Sequence, residues 1–275
     1  MRSNSVAYLT VNDTPIFYTD EGEGPQTVLF IHGGTCDSHD WAAQIGPFTD
    51  RYRVIAPDLR GHGRSGVTSD SYRPADYVRD LAALIEALGV GPVIAVGHSL
   101  GGLVASTLAV EHPAAVRAVV AVDPSYGFET AFAADVAMAF ETADPVGVSA
   151  GLLSAMEGRG TEGLPWLRDW HRRRALSMPA VVTSDVFRGI FALETEKVCR
   201  PAAEDYLKRR QCPVLTVSAA DSLIAKGIDV EWDKANSVHP YSQSVAWDGV
   251  GHWLFQERAE EFTGLAIKWI EDLPS

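Results

Sequence analysis

A glycine-flanked serine directly behind an apolar run is the feature that most constrains how this chain can fold. The segment Gly97-His98-Ser99-Leu100-Gly101 follows the run Val93 to Val96 and precedes a helix-like stretch that ends near His112. Small residues two positions either side of the serine permit a tight turn, which exposes the hydroxyl and aims the next amide at the same place. The pattern predicts a strand, a nucleophile elbow and a helix, with Ser99 as the candidate nucleophile.

Short β-branched runs alternate with segments of helical periodicity along much of the chain, which is typical of an α/β fold. The apolar positions from Pro74 to Leu88 predict a core-facing helix that stops at Gly89, and those from Phe262 to Ile270 predict a packed terminal helix. Continuously apolar strands indicate a mostly parallel central sheet covered by helices on both faces. The candidate strands are Thr27 to Ile31, Arg53 to Ala56, Val93 to Val96, Val116 to Val122, Val214 to Val217 and Ser244 to Trp247.

One stretch breaks this alternation and reads as mostly helical, with bulky apolar residues such as Trp170 and Phe187. We expect residues 128–207 to form a helical cap inserted into a core domain made of residues 1–127 and 208–275. Such an insertion would roof the pocket above the serine and determine which substrates fit.

The formal net charge of −13 argues against a polyanionic partner, so nucleic acid is not expected. The three cysteines show no CxxC spacing and suit a reducing cytoplasm. A signal peptide and a membrane-spanning segment are not expected either, because no run approaches about 18 consecutive apolar residues.

A serine hydroxyl needs an adjacent base at neutral pH. Among the eight histidines, His252 is the best candidate, because it follows the last predicted strand by a short loop and precedes the terminal helix. The glycine-rich loop at Gly33-Gly34 ends another apolar strand, where backbone amides can approach a ligand. The amides of Gly34 and Leu100 are therefore candidate donors to an oxyanion.

The chain resembles the α/β-hydrolase superfamily from about Val11 to Asp272. The matching motifs are His32-Gly33-Gly34, the segment Asp58 to Ser65, the serine pentapeptide and Gly251-His252-Trp253. The resemblance implies the α/β-hydrolase fold and a catalytic triad. In that family the Asp58 to Ser65 segment is a structural loop, so Asp58 and Arg60 are not expected in the site. The reaction stays open, because this fold supports many chemistries.

The triad acid has two candidates in the sequence. Asp221 resembles the family's usual acid loop after the penultimate strand, although Ala219 replaces the usual glycine there and an ungapped comparison puts Ser222 at the acid position. Asp123 ends the strand Val116 to Val122, where some family members carry their acid. Weaker candidates are Asp229, Asp233 and Asp248.

We therefore expect a serine hydrolase that cleaves a small or medium apolar ester or lactone through an acyl-enzyme. A serine nucleophile argues against haloalkane dehalogenase and epoxide hydrolase chemistry. The open alternatives are a carbon–carbon bond hydrolase, a perhydrolase and a slow-turnover ligand receptor. No metal or cofactor is expected, and a homodimer is left open. The residues expected around the substrate, besides the catalytic ones, are Gly33, Gly34, His98, Leu100, Trp41, Phe128, Trp166 and Trp253.

Overall fold

A computed structural model describes residues 5–158, 161, 164–191, 197–220 and 229–274. Within these residues the chain forms one eight-stranded sheet in the order β1-β2-β4-β3-β5-β6-β7-β8. The strands from β3 to β8 pair in parallel, and β1 and β2 are antiparallel. The strands are β1 Ser5–Val11, β2 Thr14–Glu21, β3 Thr27–Ile31, β4 Arg53–Pro57, β5 Val93–His98, β6 Val116–Val122, β7 Val214–Ala219 and β8 Gln243–Trp247.

The α/β prediction is confirmed, and the central strands lie where the apolar runs placed them. Strands β3, β5 and β7 are buried at every position, because helices cover both faces of the sheet. The predicted helix Pro74–Leu88 has the expected bounds and ends at Gly89, which adopts the left-handed conformation at φ 61°. The helices are α1 Ala42–Thr49, α2 Pro74–Leu88, α3 Leu100–Glu111, α4 Thr130–Thr142, α5 Pro145–Ala155, α6 Pro165–Ser177, α7 Ala180–Ile190, α8 Ala202–Leu207, α9 Val230–Asn236, α10 Leu254–Glu257 and α11 Ala259–Glu271.

The first two strands were absent from the sequence prediction. They form a hairpin around Asn12 and Asp13, both of which have positive φ, at 44° and 59°. A two-residue turn of this kind favours Asn, Asp and Gly. The Asn-Asp pair between alternating residues was the signal that could have revealed the hairpin.

Helices α4 to α8 lie between β6 and β7 in the chain, and we call this segment the helical insertion. Helices α4, α5 and α7 contact one another, and α6 packs on α5. Phe140 of α4 stacks on Phe187 of α7 at 4.3 Å between ring centroids. This position in the chain puts the insertion beside the carboxyl ends of the parallel strands, where ligands bind in open α/β sheets.

None of the helices that the structure describes is both long and apolar enough to cross a membrane.

Candidate active site

Ser99 sits at a strained turn between β5 and α3. Its backbone has φ 55° and ψ −119°, a conformation that non-glycine residues seldom adopt and that packing must impose. A Cβ on Gly97 would come within 2.1 Å of Gly101 O, and one on Gly101 within 2.1 Å of Ile31 O. Glycine is therefore required at both positions, and the two glycines allow the sharp turn at Ser99.

His252 lies in the loop between β8 and α10, and its ring contacts a buried carboxylate. Its Nδ1 is 2.6 Å from Oδ2 of Asp123, and both side chains are essentially inaccessible to solvent. Oδ1 of Asp123 accepts a hydrogen bond from the amide of Ala219 at 3.1 Å. A carboxylate on Nδ1 fixes the tautomer in which Nδ1 donates and Nε2 is free to accept a proton.

Of the two acid candidates, Asp221 lies outside the described residues, and Asp123 contacts His252. Asp123 follows the last residue of β6 and has φ 39°, a positive value that Asp tolerates better than most residues. Two of the weaker candidates make other contacts: Asp229 caps α9, and Asp233 bonds the hydroxyl of Ser244.

Ser99 and His252 line one small cavity of about 20 Å³, which has room for about one water molecule. The Ser99 hydroxyl lies 3.2 Å from the hydroxyl of Ser125. Among the described residues no hydrogen bond joins Ser99 to His252, as is common for catalytic pairs without a substrate. The lining residues are Gly33, Gly34, Cys36, His98, Ser99, Ser125, Leu152, Leu153, Met156, Phe187, Ile190, Phe191, His252 and Trp253.

The loop after β3 lies against the serine. A Cβ on Gly33 would be 3.2 Å from Cβ of Ser99, so the loop backbone approaches the hydroxyl closely. Leu100 is the first residue of α3, and the amide at that position of a helix has no intrahelical acceptor. This loop and the start of α3 therefore bring backbone donors to the cavity, where they can stabilise a negatively charged oxygen.

His98 supports the loop that carries His252. Burial lowers the pKa of His98 well below its usual value, so the ring is neutral. Its Nε2 donates to the backbone oxygen of His252 at 2.9 Å. His98 also lines the cavity, so it combines a structural contact with a place at the site.

Several aromatic residues that the sequence placed around the substrate lie elsewhere. Trp41 is fully buried between Phe30 and Phe255, with ring centroids 4.8 Å and 4.3 Å away. Phe128 is buried beside Phe191, which lines the cavity in its place. Trp166 is 59% exposed on α6. The packing of each side chain against its neighbours decided these positions, and the sequence pattern did not reveal it.

Sequence reasoning overlooked part of the cavity wall. Ser125 comes two residues after Asp123 at the carboxyl end of β6, and this position was a usable signal. The other overlooked residues come from helices of the insertion and from the loop after β3. They are Cys36, Leu152, Leu153, Met156, Ile190 and Phe191.

No group of three or more potential metal ligands occurs in the ranges that the structure describes.

Comparison with known proteins agrees with this architecture. The model of the family described as the α/β-hydrolase fold matches residues 26–155. Residues 26–155 therefore resemble the α/β-hydrolase family, and the chain has the α/β-hydrolase fold.

The proteins that this chain matches in part carry the names of several different enzymes. A 2-(acetamidomethylene)succinate hydrolase of Mesorhizobium japonicum is 41% identical over 111 residues, 40% of each chain. A bifunctional esterase/perhydrolase of Acinetobacter calcoaceticus is 43% identical over 100 residues, 35% of this chain and 36% of that protein. Among solved structures, an N-acyl homoserine lactone degrading enzyme is 25% identical, with a TM-score of 0.79 over 95% of this chain and 99% of that one. The chain spans at most about two fifths of the first curated relatives it matches.

Proposed function

We propose that this α/β hydrolase cleaves a small neutral carboxylic ester or lactone through an acyl-enzyme on Ser99. The observation that carries the proposal is the buried contact of 2.6 Å between His252 Nδ1 and Asp123 Oδ2 at the cavity that Ser99 lines. An esterase/perhydrolase and a lactone-degrading enzyme among the similar proteins support the same class of reaction.

In the proposed first step, Ser99 Oγ attacks the carbonyl carbon while His252 Nε2 takes the hydroxyl proton. Asp123 stabilises the imidazolium that forms, and the amides of Gly34 and Leu100 donate to the oxyanion. The tetrahedral intermediate then expels the alcohol, which receives the proton from His252. A water molecule attacks the acyl-enzyme in the same way and releases the acid and the free serine.

The cavity wall argues for a neutral acyl group. None of the described lining residues is Asp, Glu, Lys or Arg, and most are apolar. Arg174 contacts this wall at Cys36, where its guanidinium donates to Sγ at 3.3 Å, and it also bonds the carboxylate of Asp40. A substrate carboxylate would therefore lose water without gaining a free cation, which is costly.

Substitution of the proposed triad tests the chemistry. We expect Ser99→Ala to abolish ester turnover and covalent labelling by a fluorophosphonate while leaving the melting temperature nearly unchanged. Asp123→Asn should lower kcat on the order of 10⁴-fold, because the histidine then loses its productive tautomer. Asp221→Asn is the matched control and should retain activity. A larger loss in Asp221→Asn than in Asp123→Asn would refute the assignment of the acid.

Substrate charge gives a second test. The acyl chains of p-nitrophenyl butyrate and p-nitrophenyl hemisuccinate have the same number of carbon atoms, but only the hemisuccinate chain ends in a carboxylate. We expect kcat/KM for the neutral ester to exceed that for the anionic one by at least about 10-fold, or about 1.4 kcal/mol, since removing a carboxylate from water without a partner costs more than this. Equal values for the two esters would rule out the neutral-acyl assignment.

A slow-turnover receptor is the second candidate, and the closed cavity together with the Ser99–Ser125 contact favours it. A lactone that raises the melting temperature without being hydrolysed would support this function. Stoichiometric release of product followed by repeated turnover would exclude it.

A further inference from the structure

The backbone of His252 is held directly by the helical insertion. The His252 amide donates to the carbonyl oxygen of Met156 at 2.9 Å, immediately after α5. His98 holds the His252 carbonyl, and Asp123 holds the ring. Among the residues that the structure describes, three hydrogen bonds hold His252. One comes from the insertion, and the other two come from the end of β6 and from the elbow.

A close backbone contact lies next to that bond. A Cβ on Gly158 would come within 1.9 Å of the amide nitrogen of Gly251, the residue before His252. Only glycine, which has no side chain, lets these two backbone segments approach so closely. By contrast Gly151, on α5 of the same insertion, has no atom within 4 Å of the corresponding position.

A buried polar cluster fastens the same region. The His171 ring stacks on Trp253, the residue after His252, at 3.9 Å between centroids. Its Nδ1 is 2.8 Å from Glu157 Oε1, and its Nε2 is 2.9 Å from Gln256 Oε1. Because Gln256 uses its amide nitrogen to donate to Asp40 O, its oxygen faces His171. Each ring nitrogen of His171 therefore lies within hydrogen-bonding distance of a side-chain oxygen, one from Glu157 and one from Gln256.

We propose that Met156 to Gly158 and His171 are positioning residues for the proposed general base. The base would be correctly placed only while the insertion is closed. This inference rests on the proposed function, since it assigns a role in placing His252. The inference also accounts for the closed cavity. A substrate that displaces the insertion would move His252 out of its catalytic position, and closure of the insertion over the bound substrate would restore that position.

Gly158→Ala tests the backbone contact, with Gly151→Ala as the matched control. We expect Gly158→Ala to lower kcat for p-nitrophenyl acetate by about 10- to 100-fold, because a shift of about 1 Å in a catalytic group costs about that much. KM should change far less than kcat, and the rate of fluorophosphonate labelling should fall in parallel with kcat. Gly151→Ala should match the wild type. Equal kcat in the two variants would overturn the proposal.

A spectroscopic measurement separates this inference from the proposed function. The NMR resonance of the His252 Nδ1 proton, assigned by its loss in Asp123→Asn, reports the placement of the ring without turnover. It should shift or broaden in Gly158→Ala and stay unchanged in Gly151→Ala. Suppose that Ser99→Ala kept full activity and that the resonance still shifted in Gly158→Ala. The proposed function would then be wrong, whereas the inferred role of the insertion in placing His252 would stand. An unchanged resonance in Gly158→Ala would count against the inference alone.

A second pair of variants applies if Gly158→Ala does not fold. The double variant Glu157→Gln/His171→Phe keeps an aromatic ring over Trp253 but removes the contact between Glu157 and His171 and the bond to Gln256. The control Glu141→Gln/Arg188→Met removes an exposed ion pair of 3.2 Å elsewhere in the insertion. We expect about a 10-fold fall in kcat and a shifted His252 resonance in the first variant. The control should show neither change, and a first variant with wild-type kcat and an unshifted resonance would overturn the role of His171.

Discussion

At the scale of single residues, the backbone of Ser99 is fixed while its hydroxyl contacts Ser125 and makes no hydrogen bond with the proposed base in the described part of the chain. Packing at Gly97 and Gly101 imposes the backbone conformation, so rotation of the side chain is the freedom that remains. In the structure that rotation places the hydroxyl against Ser125. The hydroxyl must leave this contact before it can transfer its proton to His252.

Ser125→Ala should therefore speed acylation. A hydrogen bond of this kind contributes about 0.5–1.5 kcal/mol, so its loss should raise the rate of fluorophosphonate labelling by roughly 2- to 10-fold. Ser149→Ala removes another buried hydroxyl, which lies on α5 and is not part of the cavity lining, and should leave the rate unchanged. Slower labelling of Ser125→Ala would instead mean that the Ser125 hydroxyl assists the reaction.

At the scale of secondary structure, α6 is tied to the turn Ser38–Trp41 by a buried ion pair. Arg174 of α6 bonds Asp40, whose carboxylate is inaccessible to solvent. Burial alone would raise the pKa of Asp40, but the Arg174 guanidinium outweighs burial and lowers that pKa to about 2. The pair is therefore fully charged at neutral pH and joins the insertion to the core near Cys36.

Replacing one partner of this ion pair should lower the free energy of unfolding more than replacing both partners. Asp40→Asn should lower the free energy of unfolding by about 3–5 kcal/mol, because Arg174 is then buried without a counter-charge. Asp40→Leu/Arg174→Met should lose clearly less, since apolar side chains of similar size need no counter-charge. Denaturant unfolding measures both values, with Glu141→Gln as the surface control. A double variant as unstable as Asp40→Asn would show that the pair itself stabilises the fold.

At the scale of the whole molecule, buried neutral histidines make the fold sensitive to acid. Burial lowers the pKa of His32 and of His98, and it lowers that of His62 to about 3. The unfolded chain binds protons on these residues near the ordinary value of 6.5, so the unfolded state takes up more protons between that value and the lowered one. Stability from these groups is thus present above about pH 6.5 and is lost as pH falls below it.

We expect the free energy of unfolding to fall steeply between pH 6.5 and 4.5, a window taken from these shifts. Each histidine contributes up to about 1.4 kcal/mol per pH unit while its folded ring stays neutral, so His62 and His98, which have the largest shifts, together contribute up to about 3 kcal/mol per unit. Denaturant unfolding at pH 7.5, 6.5, 5.5 and 4.5 is the measurement, taken at roughly constant ionic strength. A constant free energy down to pH 4.5 would contradict the buried neutral state of these rings.

Much of this architecture followed from the sequence alone. Apolar runs of the right length predicted the central strands, and Pro74 and Gly89 marked both ends of α2, because strand burial and helix termination are local preferences. The elbow at Ser99 could also be predicted from the sequence, since its tight turn depends on nearby glycines. The hairpin of β1 and β2 was overlooked because half-exposed strands lack the continuous apolar run that revealed the others.

Only the tertiary structure brought Asp123 to His252, which are 129 positions apart in the chain. Sequence position left Asp221 and Asp123 as open alternatives, because a carboxylate after either of two neighbouring strands lies at the same edge of a parallel sheet. The fold likewise decided that Phe187 and Phe191, and not Trp41 or Trp166, meet the cavity. Local preferences specify which segments become strands and helices, whereas the direction of a side chain toward a distant partner depends on how those elements pack.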